Sequence, residues 1–93
     1  MKSIISDKKE CFFCKTTYGL EKHHCIHGYG RRKLADADGL TVYLCHVCHR
    51  NLHDLSIHDR DLQMLAQKRW QEHYHKTVAD FRARYGKSYL YDG

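Results

Sequence analysis

The sequence predicts a small α+β domain in which a zinc-organised ββα unit is followed by C-terminal helices. Two cysteine pairs at x2 spacing, Cys11/Cys14 and Cys45/Cys48, flank two short β-compatible runs, and a helical apolar period occupies the last third of the chain. Ninety-three residues make one domain, 1–93, with a core over about 11–55 and a helical extension over about 56–93. At this size a hydrophobic core alone is marginal, so a structural metal supplies what burial cannot.

Met1 to Glu10 are polar and read as a mobile or loosely attached lead-in. Cys11-Phe12-Phe13-Cys14 forms the first knuckle, its phenylalanines giving the metal apolar cover, and Lys15 to Gly19 is a turn. Leu20 to Ile26 predicts a strand, His27 to Lys33 a glycine-punctuated basic loop, and Ala35 to Gly39 a turn region. Leu40 to Leu44, β-branched and aromatic, is the second strand. The second knuckle opens a helix over about His46 to Leu55. Ser56 to Asp59 caps a further helix over about Asp59 to Lys76, with acidic residues in its first turn. Its apolar stripe is Leu62, Leu65, Ala66, Trp70 and Tyr74. Thr77 to Tyr85 predicts a shorter helix with Val78, Phe81 and Tyr85 on one side, ending at Gly86, and Ser88-Tyr89-Leu90-Tyr91 closes the chain. These aromatics read as packing residues rather than stacking platforms for bases.

A formal charge of +5 and a pI of about 9.0 point to a polyanionic partner. The chain has no apolar signal segment at its N-terminus and no run long enough to cross a membrane, so the expectation is a cytoplasmic protein with reduced thiols and no membrane partner. Paired CxxC motifs then read as metal sites before disulfides. The absence of proline argues against a long disordered linker, and no internal repeat is visible.

Cys11, Cys14, Cys45 and Cys48 are the candidate ligands of one closed, tetrahedral structural zinc. Cys25 is left over and reads as a small buried hydrophobe. His49 and His53 are four apart, which on a helix stacks both imidazoles on one face. His23 and His24 leave a strand on opposite sides, so at a strand end one can ligate an ion while the other approaches the same cavity as a general base. Three imidazoles around an ion leave positions open for water and a phosphate oxygen, the mark of a catalytic site. Arg31, Arg32 and Lys33 are either a solvated turn or a phosphate contact, and the neighbouring metal site favours contact with DNA. Lys68, Arg69, Lys76, Arg82, Arg84 and Lys87 form a second basic set on the predicted helices, equally compatible with a solvated face. Cys45-His46-Val47-Cys48-His49 also satisfies the C-x-x-C-H pattern for covalent haem, but that attachment needs export and leaves Cys11, Cys14 and the histidine pair unexplained.

The run Glu21-Lys22-His23-His24, followed by Cys45-His46-Val47-Cys48-His49-Arg50-Asn51-Leu52-His53, resembles the HNH nucleases of the ββα-metal superfamily, particularly small bacteriophage-encoded HNH proteins. The resemblance covers about Cys11 to His53. It implies a ββα-metal (treble-clef-like) fold, and a catalytic divalent ion (Mg2+, Mn2+, Ni2+ or Zn2+) on His23, His49 and His53 beside the structural Zn2+. It further implies His24 as the base that deprotonates the attacking water, DNA as substrate, and a 5′-phosphate and 3′-hydroxyl as products. A phage-encoded protein would act in the cytoplasm of its bacterial host. The family's middle asparagine usually lies five residues before the second knuckle, where this chain has Leu40; backbone contacts or Asp38 are the candidates to steady the loop carrying His24. The expected function is a metal-dependent DNA endonuclease or nickase, nicking as a monomer or cutting both strands as a homodimer. The alternative is a non-catalytic zinc-stabilised nucleic-acid-binding module.

Overall fold

A computed structural model describes residues 2–56 and 58–90; Met1, Ile57 and residues 91–93, among them the Tyr91 expected in the closing stretch, lie outside the described residues. Strand β1, Leu20–His24, pairs antiparallel with β2, Thr41–Cys45, in the register Leu20↔Cys45 through His24↔Thr41. The strands are not joined by a basic loop and a turn. Helix α1, Arg31–Asp38, lies between them. The sequence Asp36-Ala37-Asp38-Gly39 has turn chemistry, but here that chemistry ends a helix: Gly39 is left-handed, with φ 77°, and its N–H caps the carbonyls of Ala35 and Asp36. A Cβ on Gly39 would also stand 2.5 Å from the carbonyl oxygen of Lys2, so only glycine fits the place where the N-terminal segment crosses.

That segment is docked rather than loosely attached. Ile4 donates its N–H to the Gly39 carbonyl at 2.9 Å, the Ser3 hydroxyl donates to the Thr41 carbonyl, and Ile4 and Ile5 pack on the core.

Helix α2, His46–Leu55, starts on Cys45, whose sulfur accepts the Cys48 N–H. Helix α3 runs Asp59–Tyr74 and α4 runs Val78–Tyr85. Ser56 does not cap α3: it is the left-handed residue that ends α2, and His58 precedes α3 without a side-chain cap. Thr77 does cap α4, in a reciprocal box with Asp80, and Gly86 terminates it.

Leu40, Val42 and Leu44 of the β2 region meet Ile26, Ala35, Leu52, Leu62, Ala66, Trp70, Phe81 and Tyr85 in one buried core. The aromatics pack as expected, Trp70 edge-on to Phe81 at 5.3 Å and Phe81 stacked on Tyr85 at 4.5 Å between ring centroids. Leu65 is only half-buried; the fully buried neighbour on that face is Gln67, whose amide accepts the Tyr89 N–H at 2.6 Å and holds down the closing stretch.

Asp38, 8% exposed, is the polar hub of this packing. Its carboxylate accepts from Trp70 Nε1 at 2.9 Å, Tyr85 Oη at 2.7 Å, and Arg84 Nε and Nη2 at 2.5 and 2.7 Å. Tyr74 Oη donates to its carbonyl at 3.0 Å. At the other end of α1, Arg31 Nε donates to the Tyr85 carbonyl at 2.7 Å. Helix α1 is thus pinned at both ends to α3 and α4. Asp38→Ala strands the Trp70 and Tyr85 donors beside an unpaired guanidinium, and the expected loss is about 2–4 kcal/mol in urea unfolding of the zinc-loaded protein. Unchanged stability would remove Asp38 from this role.

Candidate metal centres

Two groups of metal-ligating side chains converge, and they are chemically distinct. The sulfurs of Cys11, Cys14, Cys45 and Cys48 all lie within 4.8 Å of one another. Cys14 and Cys45 sulfurs are 3.6 Å apart, near the edge of about 3.8 Å that a tetrahedron with zinc–sulfur bonds of about 2.3 Å requires. The two knuckles have the same local geometry: Cys14 N–H points at Cys11 Sγ at 3.5 Å, and Cys48 N–H at Cys45 Sγ at 3.4 Å. Phe12 N–H donates to the Tyr43 carbonyl at 2.9 Å, which ties the first knuckle to β2.

Burial raises the Cys11 thiol, but backbone N–H groups of Cys14, Cys45 and Phe13 outweigh it and bring it down to about 6. Burial, followed by its three sulfur neighbours, pushes Cys48 up to about 12. Four sulfurs this close cannot all ionise against one another's charge. A divalent cation removes that repulsion, so the donor set fits zinc. Cys25 stands apart, fully buried, with burial pushing its thiol up to about 12, and it is a packing residue.

The second group is His23, His49 and His53, also within 4.8 Å of one another. Nε2 of His49 and Nε2 of His53 face each other at 3.0 Å, one turn apart on α2. Nε2 of His23 is buried and has no hydrogen-bond partner among the described residues. Burial, then the charge of His49 and His53, lowers the His23 imidazole to about 4, so at neutral pH it presents a lone pair. An orphaned buried imidazole nitrogen beside two converging nitrogens fits a divalent cation.

The strand period divides the surrounding residues. Glu21 and His23 leave β1 toward α2, where Glu21 Oε1 lies 2.8 Å from His49 Nδ1. A carboxylate there holds the proton on His49 Nδ1 and leaves Nε2 for a metal. Lys22 and His24 leave toward α1, where both reach Asp36: Lys22 Nζ at 2.8 Å and His24 Nε2 at 3.1 Å. Arg32 Nε, one turn before Asp36, donates to His24 Nδ1 at 3.3 Å. A cavity of about 140 Å³ joins the two sides, lined by the three imidazoles with His24, His27, Lys22 and Arg32.

All three predicted imidazole ligands therefore meet, and His24 borders their cavity. Of the basic run, Arg32 reaches the cavity, Lys33 is exposed on a separate groove that it lines with His24, Arg32 and Asp36, and Arg31 is engaged by Tyr85. Leu40 is fully buried in the core, and Asp38, offered as its stand-in, is committed to Trp70, Arg84 and Tyr85. The residues that steady His24 are instead Asp36 and Arg32. Sequence reasoning gave Glu21, Asp36 and His27 no role. Glu21 was legible as the same-face neighbour of His23, two residues back; Asp36 was not, because its helix read as a turn. His27 adds a link to α3, with Nε2 3.1 Å from Asp59 Oδ1.

No family model matches the chain, and no curated protein or solved structure matches it either. Among the described residues no helix is long and apolar enough to cross a membrane.

Titration of the metal-free protein with Co2+ is expected to fill two sites, one with the sulfur-to-cobalt charge-transfer band of a thiolate centre. Cys48→Ser is expected to abolish that band and the cooperative thermal transition, while His53→Ala removes only the second site. A folded Cys48→Ser protein that holds no metal would overturn the structural role of the four-cysteine centre.

Proposed function

We propose that the chain is a metal-dependent DNA endonuclease or nickase of the HNH type, built on a ββα-metal, treble-clef-like unit. The observation that carries this is the pairing, across one small cavity, of three converging imidazoles with a fourth that is not among them. A closed structural site has no use for His24; hydrolysis of a phosphodiester needs a base beside an open metal position.

A divalent ion on His23, His49 and His53 supplies neutralisation of charge on the phosphate when bound. The chain's own residues supply the rest. His24 takes the proton of the attacking water as its oxygen bonds to phosphorus. The bond from phosphorus to the 3′-oxygen breaks, and that oxygen takes a proton from solvent, leaving a 5′-phosphate and a 3′-hydroxyl. Arg32, Lys33 and Lys22 hold the substrate's charge at the cavity rim, and the net charge of +5 draws the polyanion in. Cys11, Cys14, Cys45 and Cys48 would hold a zinc that ties the knuckles to the start of α2 and so fixes the spacing of His49 and His53 from β1.

Leu40 favours a second reading, a zinc-stabilised nucleic-acid-binding module without catalysis, because the side chain usual at that position is missing. The two separate in plasmid cleavage with Mg2+, Mn2+, Ni2+ or EDTA. The wild type is expected to cut only with added metal, and His24→Ala to lose about 10²- to 10⁴-fold in rate while keeping its fold and DNA affinity. Nicked rather than linear product indicates a monomer at work. Full cleavage by His24→Ala would remove the base, and salt-dependent binding without cleavage under any metal would leave the binding module.

A further inference from the structure

The His24 ring is held from both nitrogens by partners of fixed sign. An ionised carboxylate only accepts hydrogen bonds and a guanidinium only donates them. Asp36 Oδ1 lies 3.1 Å from Nε2, and Arg32 Nε lies 3.3 Å from Nδ1. Lys22 first, then His24, holds the Asp36 carboxyl below its usual range, which keeps it ionised at neutral pH. Between these two partners a neutral imidazole has one self-consistent form, with its proton on Nε2 and its lone pair on Nδ1. Asp36 and Arg32 are four apart on α1, hence on one face, and α1 is anchored at its ends by Arg31 and Asp38.

We propose that Asp36 and Arg32 clamp His24 in its catalytic tautomer: Asp36 is a positioning residue that keeps the proton on Nε2, and Arg32 caps Nδ1 until a substrate phosphate draws the guanidinium away. The proposal rests on His24 being the base. A guanidinium–phosphate pair is charge-assisted and can be bidentate, whereas the resting contact is a single N–H···N bond at 3.3 Å, so phosphate wins the competition. The Nδ1 lone pair is then open to water in the cavity that His24 lines. When Nδ1 accepts the water's proton, the ring becomes a cation with N–H groups on both nitrogens, and Asp36 offsets the charge from the Nε2 side. The clamp fills the place of the missing asparagine by another route: the ring itself is gripped from α1.

Histidine-selective long-range 1H–15N NMR of the zinc-loaded protein tests the tautomer without any need for cleavage. Wild-type His24 is expected as the Nε2–H form, and the double variant Asp36→Asn with Arg32→Met as a mixture, because an amide both donates and accepts and no guanidinium then holds the lone pair on Nδ1. An Nδ1–H form in the wild type, or an unaltered tautomer in the double variant, would overturn the clamp. Cleavage kinetics test its use. Asp36→Asn is expected to lower kcat about ten- to a hundredfold with KM changed by less than about twofold, and Asp36→Glu to recover part of kcat. Arg32→Met is expected to raise KM while leaving the Nε2–H tautomer in place. An unchanged kcat in Asp36→Asn, against a wild type that cuts, would overturn the positioning role. A wild type that never cuts would remove the nuclease reading, and the NMR result would still decide whether the clamp exists.

Discussion

One buried carboxylate organises the route from the C-terminal helices to the candidate site. Asp38 ends α1 and takes hydrogen bonds from Trp70, Arg84 and Tyr85, which belong to α3 and α4. With Arg31 on the Tyr85 carbonyl, both ends of α1 are tied to that helical pair. An eight-residue helix is too short to persist in water by itself, so these contacts are what give it a fixed place. The C-terminal extension therefore does more than enlarge the core. It sets the helix from which Asp36 and Arg32 reach His24, and removing its polar anchor leaves several donors buried without an acceptor.

Strand β1 does the sorting. Alternate residues leave a strand on opposite faces, and here the alternation separates two chemistries at 3.3 Å of rise per residue or so, about the width of one water. Glu21 and His23 face α2, with His49 and His53; Lys22 and His24 face α1 and its Asp36. One backbone so carries both a candidate metal ligand and a candidate base, while Glu21 beside the first reaches His49 and Asp36 meets the second. The arrangement needs no flexible loop. It depends on the register that pairs His23 with Val42 and His24 with Thr41, and a slip of one residue would exchange the two faces.

The four-cysteine cluster explains how so short a chain holds that register. Its first knuckle lies before β1 and its second at the end of β2 and the start of α2, so one ion would bind segments distant in sequence. Clustered thiols without a cation repel as they ionise; with one, the same charge becomes the attraction that closes the fold. The imidazole cluster differs in kind. Its members are imidazoles on a cavity wall, one of them buried with an unsatisfied nitrogen, and they leave room for a further group.

By itself the sequence determined the local features: two knuckles, the H-x3-H helix His46–Leu55, both strands to within a residue or two, and α4 with its terminal Gly86. Ligand spacing, strand alternation and helix termination at glycine act over a few residues, and that is why they are legible in a linear chain. Tertiary structure alone decided that residues 31–38 are a helix, because Gly39 and Asp-Ala-Asp suit a helix end as well as a turn and only the contacts of Asp38 choose between them. It also decided that the N-terminal segment docks across Gly39, that Arg31 packs on α4, and that Asp36 rather than Asp38 meets His24. Each of these joins residues through packing of separate elements, a free energy that no local pattern encodes.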